Sequence, residues 1–304
     1  MKTIKIGGIV PASAVSLGCM RLGGLKENEV ERVIETALEC GIDHFDHADI
    51  YGGGRCESVF GKYISSHPSF RDKVILQTKC GIRADMYDFS REHIISSVEG
   101  SLKRLNCDYV DTLLLHRPDT LMEPEEVAEA FEQLHSEGKV RYFGVSNHNS
   151  YQIELLKTKV GFPIITNQLQ FSITESGMIT SGLNVNMKND ESVMHDGGFL
   201  EYSRIHNITI QTWSPFQHGF FEGAFIDNPD YPDLNAKLQE IADKYGTTKT
   251  AIASAWILRH PANMQLISGS MNPDRIREVC RGADIVLSRA EWYEIYLAAG
   301  YMLP

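Results

Sequence analysis

Three apolar runs end on side chains that can move protons. Lys79 closes VILQTK, His116 closes DTLLLH, and Asp46 closes IDHFD, with Tyr51 five residues further on. A lysine inside an apolar strand is costly to bury unless it is paired, and Asp46 at another strand end is the available carboxylate. A free tyrosine titrates near pH 10. A neighbouring ammonium favours the phenolate, so Lys79 is expected to lower that value and make Tyr51 a general acid–base group. Three glycines, Gly52, Gly53 and Gly54, follow Tyr51, let the chain turn sharply and keep the phenol accessible. Singly, each residue has a plainer reading: Lys79 in solvent just past its strand, His116 a hydrogen-bonded structural histidine, Tyr51 a packing tyrosine. Their shared place at strand ends is what points to chemistry.

The later strand ends are polar as well. Ser146 and Asn147 follow FGV, Asn167 and Gln168 follow IIT, Trp213, Ser214 and Pro215 follow ITIQT, and Gly269 and Ser270 follow QLIS. Amides and hydroxyls suit a neutral hydrogen-bonding ligand such as a carboxamide, and Trp213 offers a flat face for stacking. In SMNPDRIREVCR, Asn272 is a good N-cap and Pro273 suits the first helical position. That helix start, with Arg275 on its first turn, makes a phosphate site; otherwise Arg275 is a solvated helix residue. No GxGxxG follows a strand, there is no Walker loop, and residues 52–54 lack the spacing of a phosphate motif. No HxxxH or Cys–His cluster offers a metal site, so none is expected.

Positioning these residues together requires a closed parallel sheet. AVSLG, IDHFD, VILQTK, DTLLLH, RYFGVS, IITNQ, ITIQTW and MQLIS make eight strand candidates, each followed by a helical pattern. That predicts a (β/α)₈ barrel, in which all strand C-termini share the face where active sites sit. TIKI and GGIVPAS read as an N-terminal hairpin. The first helix, in KENEVERVIETALEC, puts Val30, Val33, Ile34, Ala37 and Leu38 on one face and stops at Gly41. A helix spans roughly Glu57 to Ile64. Another opens at Ser90 with Ile94, Val98, Leu102 and Leu105 inward, and a further one has Pro124 near its start. Residues 169–198 and 217–234 are long for connections, as lids and binding loops are. With no linker or composition shift, residues 1–304 are expected to be one domain. Met20, Tyr87, Phe171, Phe216 and Phe221 are candidates for a pocket suited to an apolar or aromatic compound.

Charge bounds the partners. With 29 Lys and Arg against 40 Asp and Glu, the net charge is −11, which argues against a nucleic-acid or anionic-membrane surface. No apolar run approaches the ~20 residues that span a bilayer, and MKTIKIGG has no signal-peptide core. Six scattered cysteines without a CxxC pair read as reduced thiols of a cytoplasmic protein.

GIDHFDHADIYGGG, VILQTKCG, YVDTLLLHRPD, GKVRYFGVSN, TNQLQ, WSPF and ISGSMNPDRIREV together resemble the aldo-keto reductase superfamily, in order and over nearly the whole chain. The bacterial oxidoreductases carrying DHADIYGG and HRPD are the most similar branch. The resemblance implies a (β/α)₈ barrel with an N-terminal hairpin closing its bottom. It implies NADPH, held extended without a Rossmann fold, and a small-molecule carbonyl substrate. By position, the catalytic set falls on Asp46, Tyr51, Lys79 and His116. The nicotinamide carboxamide contacts fall on Ser146, Asn147 and Gln168. The stacking aromatic, commonly tyrosine, falls on Trp213, with pyrophosphate near Ser214 and Phe216 and the adenosine phosphate on Gly269, Ser270, Met271 and Arg275. Two departures stand out. Gly269 replaces a lysine of many relatives, and Gly81 replaces a pocket tryptophan of some animal members. The implied reaction is hydride transfer to a carbonyl carbon with protonation by Tyr51 and orientation by His116. Two other functions remain open at this point: a Schiff-base lyase using Lys79, and an NADPH-binding regulatory or redox-sensing module with slow turnover.

Overall fold

The computed structural model describes residues 1–304. Strands β1 (Thr3–Ile6) and β2 (Val10–Ser13) form an antiparallel hairpin across Gly7 and Gly8, both at positive φ. The hairpin lies against the N-terminal ends of the barrel strands. Gly7 N–H donates to Thr209 Oγ1, and a Cβ on Gly7 would stand 2.5 Å from the Ile165 Cβ. It therefore covers the bottom of the barrel, as expected.

The barrel strands are β3 (Val15–Gly18), β4 (His44–Asp46), β5 (Ile75–Cys80), β6 (Val110–Leu115), β7 (Val140–Ser146), β8 (Ile164–Gln170) and β9 (Thr209–Trp213). A two-stranded ribbon, β10 (Gln217–His218) and β11 (Gly223–Ala224), precedes the last barrel strand, β12 (Gln265–Ser268). The order β12-β3-β4-β5-β6-β7-β8-β9 closes on itself, and every neighbouring pair is parallel.

Helices α1 (Glu27–Glu39), α2 (Arg55–Ser66), α3 (Arg91–Leu105), α4 (Pro124–Ser136) and α5 (Ser150–Lys157) each follow a strand. The local signals act as anticipated. Val30, Val33, Ile34 and Ala37 are the buried stripe of α1, the Ser90 side chain accepts from the His93 N–H to cap α3, and Pro124 opens α4. Residues 169–198 are less loop-like than anticipated, because β8 runs on to Gln170 and α6 (Gly177–Leu183) lies within them. After them come α7 (Phe199–His206), α8 (Pro232–Tyr245), α9 (Lys249–Arg259), α10 (Pro273–Gly282) and α11 (Arg289–Ala298). None of the helices is long and apolar enough to cross a membrane.

Branched aliphatic residues fill most of the space between sheet and helices. The barrel interior differs. Gln77 on β5, Gln168 on β8, Gln211 on β9 and Gln265 on β12 are all buried, where such barrels ordinarily carry apolar layers.

Candidate active site

The ends of β4 and β5 meet at Lys79, whose side chain has no exposed surface. Its Nζ donates to Asp46 Oδ1 at 2.7 Å, Asp46 Oδ2 at 2.8 Å, the His47 carbonyl at 2.9 Å and Tyr51 Oη at 3.0 Å. Tyr51 reaches this point because the chain leaves β4 through Ile50 and turns through Gly52 and Gly53, both at positive φ. Burial by itself would drive Lys79 towards its neutral form, but Asp46 and the phenol outweigh it and raise its pKa. Burial likewise opposes ionisation of Asp46, and the Lys79 charge with hydrogen bonds from Lys79, Gln77 and Gln168 holds its carboxyl below the usual range.

Tyr51 departs from expectation. Its pKa is raised, not lowered: burial of the ring costs the phenolate more than Lys79 returns, and Asp46 repels the phenolate as well. An ammonium nitrogen carries only donors. Tyr51 Oη must therefore accept from Lys79, which leaves the phenolic O–H free to donate elsewhere. His116, one residue past β6, stands edge-on to Tyr51 with ring centroids 6.0 Å apart. Burial and the Lys79 charge push its pKa down to about 3, so the imidazole is neutral, and its Nδ1 has no hydrogen-bond partner.

A row of amides stands behind the carboxylate. Gln77 Nε2 donates to Asp46 Oδ1 at 2.6 Å and to Gln211 Oε1 at 2.8 Å, and Gln211 Nε2 returns a bond to Gln77 Oε1 at 3.0 Å. Gln211 Nε2 also donates to Gln265 Oε1, and Gln265 Nε2 donates to the Ser13 carbonyl in the hairpin, both at 2.8 Å. Gln77, Gln211 and Gln265 were not anticipated as part of the site. Gln77 and Gln211 occupy matching places in VILQTK and ITIQTW, which was the signal available in the sequence.

The remaining strand ends open onto the same cavity, of about 1030 Å³, which runs from Tyr51 and His116 past Trp213 to Arg275. Ser146, Asn147, Gln168, Trp213, Ser214, Phe216, Gly269, Ser270, Met271 and Arg275 all line it. Several of these groups are already engaged. Asn147 Nδ2 donates to Ser146 Oγ at 2.8 Å and to the His116 carbonyl at 3.3 Å, while Trp213 Nε1 donates to Asn147 Oδ1 at 3.2 Å. Gln168 Nε2 is directed to Asp46 Oδ1 at 3.0 Å. Ser214, at positive φ, donates through Oγ to Gln217. Trp213 is stacked by Phe221 at 5.9 Å, and the Arg117 guanidinium lies 5.9 Å from its ring centroid. Ser268 also lines the cavity, with a buried Oγ that has no partner.

Two of the suggested pocket residues lie elsewhere. Phe171 is wholly buried and stacks on Trp256 in the core, because it follows β8 on the helix side. Tyr87 pairs with Ile82 in an isolated bridge and does not line the cavity, whereas Met20, Phe216 and Phe221 do. All six cysteines are free thiols, and no group of His, Cys, Asp and Glu is arranged to hold a metal ion.

Comparison with known proteins identifies the family. The chain is 34% identical to the uncharacterized oxidoreductase YcsN of Bacillus subtilis, with 100% of both chains covered. It is also 34% identical to a 6-dehydroglucose reductase of Agrobacterium fabrum, over 98% of each. Among solved structures, a thermostable aldo-keto reductase crystallised with the inhibitor epalrestat superposes with a TM-score of 0.79 at 26% identity, covering 98% of this chain and all of that one. An aldo-keto reductase of Klebsiella pneumoniae bound to NADPH shares the fold, with a TM-score of 0.77 at 24% identity over 97% of this chain and 93% of that one. The aldo/keto reductase family profile matches residues 14–297, and the chain belongs to that family.

Proposed function

We propose that the chain, acting as one barrel domain over residues 1–304, is an NADPH-dependent reductase of small carbonyl compounds. The observation that carries this reading is the buried Lys79 ammonium, bonded at once to the Asp46 carboxylate and to Tyr51 Oη, both of which line a cavity of about 1030 Å³. The cavity also fits such a cofactor chemically. Its lining holds an orphaned buried hydroxyl on Ser268 and the N-terminus of α10, capped by Asn272 and carrying Arg275.

Bound NADPH would supply the hydride. Ser146, Asn147 and Gln168 would hold its carboxamide, with Gln168 Nε2 pinned by Asp46 and the Gln168 oxygen turned to accept. Trp213 would stack on the nicotinamide, Ser214 and Phe216 would flank the pyrophosphate, and Gly269, Ser270, Met271 and Arg275 would take the adenosine phosphate. Tyr51 keeps its proton at rest and presents it to the carbonyl oxygen, while Lys79, donating to Tyr51 Oη, stabilises the charge left there when that proton departs. Neutral His116 donates a second hydrogen bond to the substrate oxygen and orients it. Asp46 holds Lys79 in place and charged.

A Schiff-base reaction needs a neutral amine with access to substrate, and Lys79 is an enclosed ammonium. The test is a panel of aldehydes, ketones and oxidised sugars, including 6-dehydroglucose, assayed by NADPH oxidation. Turnover of at least one class is expected. Tight NADPH binding with no single-turnover hydride transfer to any of them would favour a regulatory module instead.

A further inference from the structure

Arg117 follows His116 directly and lines the same cavity, yet nothing in the fold neutralises it. The backbone around it is fixed. The His116 N–H donates to the Cys80 carbonyl at 2.9 Å. The carboxylate two residues on, Asp119, is committed elsewhere: Oδ2 accepts from the Phe89 N–H and Oδ1 from the Leu121 N–H, both at 2.9 Å. No carboxylate lies within ion-pair distance of Arg117 and its side chain makes no hydrogen bond, although the chain carries net charge −11. The half-buried guanidinium lies 5.9 Å from the Trp213 ring centroid with all five N–H donors unused.

The other cations of the cavity are engaged or stand elsewhere. Asp46 neutralises Lys79, Arg21 in the connection between β3 and α1 donates through Nη1 to the Gly269 carbonyl at 2.9 Å, and Arg275 lies at the start of α10. Burial and Lys79 lower the His116 pKa first, and the Arg117 charge adds to them, so that charge is felt at the imidazole. Arg117 is thus an uncompensated cation beside the groups assigned to the carbonyl. Met20, Ile50, Ile82 and Phe221 make part of the lining apolar, and low-dielectric walls strengthen the pull of such a charge on an anion.

We infer that Arg117 selects carbonyl substrates that carry an anionic group, a carboxylate or a phosphate, which its guanidinium grips while the carbonyl faces Tyr51 and His116. The inference rests on the reductase reading above and names a substrate class for it. The planar fork pairs with either oxyanion through two parallel hydrogen bonds. Binding Asp119 to backbone N–H groups keeps that fork open for the substrate.

The test is steady-state NADPH oxidation by the full-length protein with matched substrate pairs: succinic semialdehyde against butanal, and glycolaldehyde phosphate against glycolaldehyde. The anionic member of at least one pair should have a kcat/KM roughly tenfold to a hundredfold higher, the range of one charge-assisted contact. Which pair responds shows which anion the site takes. Added salt should narrow the ratio. Arg117→Ala should bring it close to one, mainly through KM, and Arg117→Gln, which keeps more of the packing, should do the same. An arginine with a purely structural role would change both members of a pair alike and leave the ratio where it was. No preference in the native protein, or a preference kept in either folded variant, overturns the inference and leaves the reductase reading intact. A native protein that reduces none of these compounds, nor any of the panel above, overturns both together.

Discussion

The two halves of the barrel mouth are finished to different degrees. At β4 and β5 the Asp46, Lys79 and Tyr51 side chains are interlocked and charge-balanced, with Asp46 and Lys79 buried. At β7, β9 and β12 several polar groups facing the cavity are occupied with one another, Asn147 with Ser146 and Trp213, Ser214 with Gln217, and Arg21 with the Gly269 carbonyl, while Ser268 Oγ has no partner. Phe221 covers one side of Trp213 from a positive-φ position that a bulky residue adopts at a cost. The half proposed to handle the proton thus has a geometry that needs no ligand, whereas the half proposed to hold the dinucleotide must trade internal contacts for ligand contacts. Changes in the first half should therefore damage rate and stability. Changes in the second should damage affinity, and by less.

The largest effect expected is on turnover. Tyr51→Phe removes a hydroxyl and little packing, so NADPH affinity, measured by calorimetry, should hold while the reduction rate falls by ~10²–10⁴. Lys79→Met should be similarly damaging, and the double variant little worse than either single change, as for residues acting as a unit. Full activity in Tyr51→Phe would end the assignment of Tyr51 as proton donor.

Asp46→Asn probes the enclosed charge. Removing the carboxylate leaves Lys79 buried without its partner, at a cost of about 3–5 kcal/mol in urea unfolding. A loss below 1 kcal/mol would mean that the first half is less tightly closed than the contacts imply.

Acid should loosen the same half. His44 and His47 are fully enclosed, and burial lowers their pKa to about 4 and about 3. Both are neutral in the fold, so below the unfolded value near 6.5 the unfolded chain binds more protons and stability falls with pH. The loss begins near pH 6.5 and reaches about 2 kcal/mol per histidine at pH 5, and His47→Phe should remove one such contribution. Unfolding curves that coincide at pH 7 and pH 5 would contradict this.

The smallest effect belongs to the second half. NADPH should quench tryptophan emission, because Trp213 alone of the three tryptophans lines the cavity while Trp256 and Trp292 are buried in the core. Trp213→Phe should keep most of the affinity and lose most of the quench. A quench retained in that variant would place the nicotinamide away from residue 213.

Much of this division was legible in the chain. Apolar runs that stop on Asp46, Lys79 and His116 reveal strand ends, and barrel closure carries those ends to one face. What failed to show depended on contacts between distant segments. Arg21 looks like any loop arginine until Gly269 arrives 248 positions later. Phe171, beside a strand end, carries no local sign of which side of the sheet it faces. The direction of the Tyr51 pKa turned on how deeply the ring is enclosed, which the neighbouring cation alone does not reveal.

The amide row through the barrel has one more consequence. It ends at both extremities on groups that can only accept, the Asp46 carboxylate above and the Ser13 carbonyl below. Its donors run outward from the reciprocal Gln77–Gln211 pair at its middle. Turning Gln77 or Gln265 over would set an oxygen against an oxygen, so the row has one allowed polarity and behaves as a single latch. Its settings are shared along its length: a change beneath the barrel, such as Gln265→Leu, releases Gln211, and through Gln77 the release arrives at the carboxylate that holds Lys79.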